Sequence, residues 1–281
     1  MTMKFSLILC TLGRLEEPTR LLRSIVLQEW PELELIVVDQ NEDDRIEKLL
    51  REEQLPFECK YFKSTPGLSK ARNLGLKNIS GDIIAFPDDD CWYPDDFFKM
   101  IDHQFKENPG VSGFIGVAVN KDHIHSVGCP NKQAGEVSRY GILISAASAC
   151  IFLTSELVRR VGIFDESLGL GAETPWGASE EADFLIRAYD QGFKLFFNPE
   201  IKLFHPVIEA SFDSQYYERA YRYGAGYGRV LKKNHFSIIL VGWVFFRTLG
   251  GIFLMLISFR FKMARYHARS LIGRLKGWSS S

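Results

Sequence analysis

Pro66-Gly67-Leu68-Ser69-Lys70-Ala71-Arg72-Asn73-Leu74-Gly75-Leu76, followed shortly by Asp82-Ile83-Ile84-Ala85-Phe86-Pro87-Asp88-Asp89-Asp90, is the stretch on which the reading of this chain turns. The run from Ile83 to Phe86 is apolar throughout and reads as a buried strand. The three carboxylates beyond it repel one another, and a strand end offers them no obvious relief unless a cation sits there. A hard divalent ion, Mg²⁺ or Mn²⁺, held by one or two carboxylates and a substrate diphosphate, would resolve the conflict. The alternative is an acidic turn ahead of the next helix, with Asp95 and Asp96 after Pro94 as first-turn acids. Upstream, Ser69 is a natural N-cap for a short helix ending near Asn78. That places a helix N-terminus, Lys70 and Arg72 one short helix and one strand before the triplet. A basic helix start and an acidic strand end can hold one ligand, a metal-chelated diphosphate, from opposite sides.

Working outward, Phe5–Cys10, Leu33–Val38, Phe57–Phe62 and Asp82–Phe86 read as strands. Pro18–Gln28, Asp43–Glu53 and the helix at Ser69 fall between them. The alternation predicts a parallel sheet covered by helices, with ligands at the carboxyl ends of the strands. Thr11–Arg14, Asp39 and the Asp88 triplet all fall at such ends and would meet in one crevice. Asp39 could equally cap a helix, and Arg14 could be a solvated side chain. From Val111 the alternation loosens: Phe114–Val119, Cys150–Leu153 and Lys194–Phe197 read as strands and Ser155–Val161 as a helix. Ser167–Ser179 is rich in Gly and has no periodicity, the mark of a functional loop. Its Trp176 offers a flat face suited to stacking on a sugar ring, or plugs a gap in the core. Ser179-Glu180-Glu181-Ala182-Asp183 then opens a helix to Gln191, its acids favoured there by the helix dipole. Asp183 precedes Arg187 by one turn and suits an ion pair. His205, in Leu203-Phe204-His205-Pro206, is either structural or a ligand, and His123 and His125 lack any such context.

Gly67-Leu68-Ser69-Lys70-Ala71-Arg72-Asn73-x-Gly75, the Asp-rich strand end and the Pro94 beyond it resemble the family 2 glycosyltransferases, over roughly Lys4 to His205. The resemblance implies an α/β GT-A fold, a Rossmann-like, mostly parallel sheet flanked by helices, and a nucleotide-diphosphate sugar as donor. It assigns the nucleoside to Thr11 and Asp39, and the rest of the donor to Arg14, Lys70, Arg72 and Asp88. It assigns a divalent cation (Mn²⁺ or Mg²⁺) to Asp89 and Asp90, with His205 as third ligand. Family members often carry Asp where this chain has Pro87, so Asp88 or Asp89 can be read as the metal ligand. Gly162-Ile163-Phe164-Asp165-Glu166 resembles the segment before the family's acceptor loop, where Trp176 would bind acceptor. Glu180-Glu181-Ala182-Asp183 resembles the family's Glu-Asp-x-Asp motif, which makes Glu181 the catalytic base and Glu180 the second choice. Inversion at the anomeric carbon follows from the resemblance alone.

At 281 residues, 46% hydrophobic and 13% aromatic, the chain can bury one large core or two modest ones. Its net charge of −1 hides a lopsided distribution. All 35 acidic residues lie at or before Glu218, while Arg219–Ser281 holds 12 of the 34 Lys and Arg. The expected organisation is therefore a catalytic domain over 1–218, with a donor half to about 120 and an acceptor half beyond, and a basic, apolar helical tail over 219–281. Within the tail, Phe236–Phe246 and Leu249–Phe259 are apolar runs separated by Arg247-Thr248. A central Arg costs about 2.5–3.5 kcal/mol in a spanning helix, and Gly250-Gly251 invites a break. The flanking cations suit anionic lipid, so an interfacial or re-entrant helical pair is expected. A helix packed on the catalytic domain and a true span are the alternatives.

Five cysteines without a Cys-x-x-Cys pair argue for reduced thiols and against a disulfide framework or zinc site. Met1–Cys10 reads as a first strand rather than a secretory signal. The expected location is therefore cytoplasmic, peripheral on the inner face of a membrane. Basic residues interleaved with aliphatic surface exclude nucleic acid as partner. The function expected is a metal-dependent, inverting glycosyl transfer to a glycan or lipid-linked acceptor. A sugar nucleotidyltransferase would need a Gly-rich basic loop after the first strand, of which Thr11-Leu12-Gly13-Arg14 is a poor version. A non-catalytic membrane-docked scaffold would have no use for both carboxylate clusters.

Overall fold

A computed structural model describes residues 2–122, 133–207 and 209–280; His123, His125 and Cys129 lie outside them. The elements run β1 (Phe5–Thr11), α1 (Glu16–Val26), β2 (Leu33–Asp39), α2 (Arg45–Glu52), β3 (Glu58–Lys63), α3 (Leu68–Leu76), β4 (Ile83–Ala85), α4 (Phe97–Glu107) and β5 (Gly113–Val119). There follow β6 (Gly135–Glu136), α5 (Arg139–Ser145), a 3₁₀ turn at Ser148–Cys150, β7 (Ile151–Thr154), α6 (Ser155–Val161), α7 (Glu180–Asp190), β8 (Leu195–Phe204), α8 (Ser214–Lys233), α9 (Ile238–Ile257) and α10 (Phe261–Ser279). The chain divides into two compact units. The first comprises Met1–Pro66, Lys70–Phe164 and Phe184–Ile208, and the second Gly67–Ser69, Asp165–Asp183 and Glu209–Ser281.

The first unit holds an eight-stranded sheet of order β3-β2-β1-β4-β7-β5-β8-β6. β1 pairs in parallel with β2 along its whole length and with β4 over Phe5–Leu7, while β7 runs antiparallel to both β4 and β5. The expected α/β architecture is therefore present, mostly parallel, with the antiparallel β7 where the sequence alternation loosens. Every residue of β1 and β2 is buried, as helix cover on both faces requires. β3, at the sheet edge, is only partly covered and carries Glu58, Lys60 and Lys63, charges that discourage edge pairing. Helix α1 turns Leu21, Leu22 and Ile25 into the core, as its apolar spacing predicts.

One buried position breaks the apolar rule. Glu34 on β2 has no exposed surface, yet its carboxylate accepts from Lys60 Nζ at 2.8 Å, from Ser80 N at 2.6 Å and from the Ser6 hydroxyl. Lys60 also donates to the Asn78 carbonyl at 2.9 Å. β1, β2, β3 and the entry to β4 are thus tied at one buried carboxylate. These bonds and the lysine overcome the penalty of burial and hold the Glu34 pKa down at about 2.

Several expectations are revised. Ser69 does not cap α3: it lies inside the first turn, buried, and its hydroxyl donates to Leu168 O at 2.6 Å. Asp95 and Asp96 precede α4 rather than opening it, and Asp96 has a left-handed backbone with φ +55°. The strand expected to stop at Phe197 continues to Phe204, because a register irregularity against β5 absorbs the Asn198-Pro199 interruption.

In the second unit the tail forms helices α8, α9 and α10. α8 and α10 meet backbone to backbone. A Cβ at Gly224 would lie 2.1 Å from Ser270 O, and one at Gly228 2.1 Å from Arg274 O. From the other side, one at Gly273 would lie 2.1 Å from Tyr221 O and one at Gly277 2.0 Å from Ala225 O. Only glycine permits this approach, and Gly224/Gly228 and Gly273/Gly277 supply it one turn apart on each helix. α9 is a single helix, not the expected broken pair. Gly250 and Gly251 face open space among the described residues, so neither crowding nor proline interrupts it. Its 20 residues are long and apolar enough to cross a membrane, with 17% of the apolar window buried. Val241, Val244 and Thr248 form the buried stripe, and Arg274 of α10 donates to the Thr248 hydroxyl at 2.7 Å. Trp243, Phe246, Leu249, Phe253 and Ile257 remain exposed.

Candidate functional site

The donor-side residues expected from sequence all fall in the first unit: Thr11, Asp39, His205 and the Asp88 triplet at or just beyond the carboxyl ends of its strands, Arg14 in the loop after β1, and Lys70 and Arg72 on α3. An isolated parallel bridge between Cys10 and Asp88 brings the acidic triplet to the end of β1. Thr11, the last residue of β1, donates its hydroxyl to Asp89 Oδ2 at 2.8 Å. Arg14 closes on the same group: its Nη1 bonds Asp89 Oδ1 and lies 2.9 Å from Asp90 Oδ2. His205 arrives from β8. Trp92 and Phe204 exchange backbone hydrogen bonds of 3.0 and 2.9 Å, and His205 N donates to Val119 O at 2.8 Å. These bonds set His205 Nε2 at 3.2 Å from Asp90 Oδ1, while Nδ1 stands 2.7 Å from Pro206 O. Nδ1 can donate only as N–H, which leaves Nε2 as the nitrogen facing Asp90. Trp92 is itself held between Phe204, with ring centroids 5.4 Å apart, and the Arg20 guanidinium at 3.9 Å. Arg20 also donates to the Asp90 carbonyl at 2.7 Å, a support that the sequence reading missed.

The electrostatics follow from this packing. Burial pushes the Asp89 pKa up and Asp90 reinforces it, against the opposing pull of Arg14 and Thr11. For Asp90 burial acts in the same sense, but His205 and Arg14 outweigh it and hold the carboxyl below its ordinary value. His205 is raised: burial disfavours its charge, but Asp90 more than compensates. Asp88 is more open, with Arg72 Nη2 at 3.5 Å and the Ser148 hydroxyl at 3.3 Å.

The motif that opened the sequence reading divides its labour. Arg72 is 2% exposed, packed near the rings of Phe86 and Phe164 and beside Asp88, so it serves as a buried counter-charge. Asn73 clamps Phe164 in both directions, donating to its carbonyl at 3.0 Å and accepting from its N–H at 2.8 Å. Gly75 is demanded by Ile8, whose Cγ2 would lie 2.5 Å from a Cβ there. Lys70 is exposed, and its ammonium rests on the Thr65 hydroxyl at 2.7 Å.

Asp39 is fully buried and makes four internal bonds. Asn41 donates twice to Oδ1 at 2.8 and 2.7 Å, and Tyr61 and Lys63 each donate to Oδ2 at 2.8 Å. These overcome burial and lower its pKa. Asn41 in turn accepts from Gly13 N at 2.6 Å, so Asp39 positions the loop after β1. The roles of Asn41, Tyr61 and Lys63 escaped the sequence reading because polar residues at loop and edge positions carry no periodic signal.

The acceptor-side residues Trp176, Glu180 and Glu181 belong to the second unit. Glu180 is 4% exposed, and a Cβ on Gly169 would lie 3.1 Å from its Oε2. Glu181 is only partly buried. Both carboxylates raise the Tyr223 pKa, after burial, the leading cause. Asp183 is fully buried and takes Lys233 Nζ at 2.9 Å and Asn234 Nδ2 at 3.0 Å; Lys233 also bonds Asp165 at 2.6 Å. Arg187, expected near Asp183, donates to the carbonyls of Val161 and Ile163 at 3.0 and 2.7 Å. Trp176 has Arg229 over one ring face at 4.4 Å, and its Nε1 is buried without a hydrogen-bond partner among the described residues.

Among the described residues no three His, Cys, Asp or Glu side chains form a ready-made metal cage. The set Asp89, Asp90 and His205 nonetheless fits a divalent cation in chemistry, with two carboxylates and one imidazole nitrogen. Both carboxylates already converge on a single cationic atom, Arg14 Nη1.

Comparison with known proteins agrees with the fold. Residues 6–132 match glycosyl transferase family 2. An uncharacterised glycosyltransferase of Rickettsia prowazekii is 27% identical over 158 residues, 52% of this chain and 48% of the relative. The chain thus spans about half the length of this relative. A glucosyl-dolichyl phosphate glucuronosyltransferase of Haloferax volcanii is 26% identical over 230 residues, covering 74% of this chain and 70% of that protein. A mannosyltransferase of Pyrobaculum calidifontis, solved with GDP-Man and Mn²⁺, superposes with a TM-score of 0.65 at 15% identity, over 100% of this chain and 89% of that one. The fold is therefore the GT-A type that the sequence resemblance implies.

Proposed function

We propose, for a chain that belongs to the family 2 glycosyltransferases, that it transfers a glycosyl group from a nucleotide-diphosphate sugar to a hydroxyl of a lipid-linked acceptor, with inversion. The observation that carries this reading is the meeting of Thr11, Arg14, Asp89, Asp90 and His205 at the carboxyl ends of β1, β4 and β8. A divalent cation bound by Asp89, Asp90 and His205 would act as a Lewis acid on the departing nucleoside diphosphate. Asp39 orients the loop that receives the nucleoside, and Lys70, exposed near the start of α3, would exchange its bond to the Thr65 hydroxyl for the phosphates. Arg72 acts on the donor indirectly, by holding Asp88. Glu181 takes the proton from the acceptor hydroxyl as that oxygen attacks the anomeric carbon. Its partial exposure favours it over the buried Glu180 for this task. Trp176 is the acceptor-sugar contact in this reading, with Arg229 over one face of its ring.

The lipid-linked acceptor is supported by α9. A helix of 20 residues spans about 30 Å, the thickness of a bilayer's hydrocarbon core. Its exposed aromatic and aliphatic side chains, and the basic residues of α10, suit insertion at an anionic membrane surface. Cys10, Cys59, Cys91 and Cys150 are free thiols, in keeping with the cytoplasmic face.

The test is thermal stability against a panel of nucleoside diphosphates with and without Mn²⁺, for the parent and Asp89→Asn/Asp90→Asn. Ligand at about 100 times its dissociation constant adds roughly 2.7 kcal/mol. A metal-dependent shift with one nucleotide, lost in the double variant, supports the donor site and identifies the donor's base. No shift with any nucleotide sinks the reading. The matching transfer assay uses polyprenyl-phosphate-linked sugars in vesicles, where Glu181→Gln should lose turnover and retain nucleotide binding.

A further inference from the structure

The four carboxylate oxygens of Asp89 and Asp90 are shared between two kinds of partner. Asp89 Oδ2 is held by the buried Thr11 hydroxyl and Asp90 Oδ1 by the buried His205 ring, both fixed by sheet backbone. The other two oxygens, Asp89 Oδ1 and Asp90 Oδ2, meet on one nitrogen of Arg14. That side chain is 42% exposed and enters from a loop in which Leu12, Gly13, Arg14 and Leu15 are all exposed. Gly13 has φ +79°, nothing lies within 4 Å of a Cβ built there among the described residues, and the bond from its N–H to Asn41 tethers the loop. The partners on one side are therefore part of the scaffold, and the partner on the other is an exposed side chain on a loop. A cation of charge +1 stands at the point on which two carboxylates converge.

We propose that Arg14 is an internal surrogate for the divalent cation, neutralising Asp89 and Asp90 in the ion-free protein and leaving them when the ion enters. The inference rests on the cation reading above and goes beyond it. Arg14 is a positioning residue whose two partners, the carboxylate pair and the donor diphosphate, exclude one another. Because the guanidinium and the ion compete for the same oxygens, the ion alone binds weakly. A nucleoside diphosphate offers the released Arg14 a new bidentate partner, so ion and nucleotide bind with positive coupling. Such coupling keeps the ion from settling before the donor arrives.

The experiment is a titration of Mn²⁺ alone, followed by the loss of the free-ion EPR signal, on the parent, Arg14→Met and Arg14→Lys, then repeated with UDP and with GDP. Removing an arginine beside a carboxylate changes the carboxylate's affinity for a positive charge by a factor of ten or more, so Arg14→Met should bind Mn²⁺ about tenfold tighter than the parent without nucleotide. In the same variant the gain in Mn²⁺ affinity on adding nucleotide should shrink. Arg14→Lys keeps the charge and should stay close to the parent. Unchanged or weaker Mn²⁺ binding by Arg14→Met overturns the proposal while leaving the cation reading intact. Absence of Mn²⁺ binding in all three proteins, with and without nucleotide, overturns both. Thermal melts without ion confirm that each variant folds.

Discussion

Replacing Glu34 by Gln removes one buried charge and little volume, at the point where β1, β2 and β3 are tied together. The folded-state pKa of about 2, against an ordinary 4.5, is a difference of about 2.5 units. At 1.36 kcal/mol per unit this corresponds to about 3 kcal/mol of stability at neutral pH. The carboxylate has no exposed surface, so solvent screening does not discount it. Because the pKa is depressed in the folded state, the contribution is complete above about pH 4.5 and fades as pH falls toward 2. Urea unfolding followed by far-ultraviolet circular dichroism at pH 7, 5 and 3 should therefore show a gap between parent and Glu34→Gln of about 3 kcal/mol at pH 7 that narrows sharply at pH 3. A gap that is constant across this range would refute the ionic argument. So would a gap under about 1 kcal/mol at pH 7, the size of one neutral hydrogen bond.

Gly277→Ala places a Cβ 2.0 Å from Ala225 O and should cost at least about 2 kcal/mol, lowering the melting temperature in detergent. Gly250→Ala, in open space on α9, should instead raise stability by about 0.5–1 kcal/mol. Asn73→Ala should cost about 1–3 kcal/mol by stranding both backbone groups of Phe164, without changing nucleotide affinity in calorimetric titration. Trp243→Ser/Phe246→Ser/Phe253→Ser strips exposed apolar surface from α9 and should abolish flotation with anionic vesicles while leaving nucleotide binding unchanged; retained flotation would sink the membrane role.

The fold was legible where hydrophobic pattern and period agree. Phe5–Cys10 and Leu33–Val38 read as buried strands because helices cover both faces, and Ser155–Val161 matched to the residue. Thr11, Asp39 and the Asp88 triplet were correctly placed at strand ends, since the alternation of strands and helices fixes which end of each strand bears a loop. What escaped were contacts between positions far apart in sequence. Nothing near Glu34 announces that Lys60, Ser6 and Ser80 will meet it. Likewise nothing near Arg14 announces that its guanidinium lands on Asp89 and Asp90. Ser69 was misread because a serine ahead of a helix satisfies the capping pattern whether or not its hydroxyl turns elsewhere, here to Leu168. Gly250-Gly251 was misread as a break because glycine lowers helix propensity without forbidding the helix.

Asp183 lies one turn or less from both candidate bases on α7, and the groups described around it, Lys233 and Asn234, come from the end of α8. Cutting away residues 219–281 to obtain a more tractable protein would take the lysine and the amide along with α9. A buried carboxylate would lose its cation, and the first turn of α7 would have to rearrange around it. Such a shortened chain would be inactive even with a soluble acceptor, and its inactivity would be mistaken for a requirement for lipid. The proposed membrane role is therefore to be tested by changing the surface of α9, with α8 left whole.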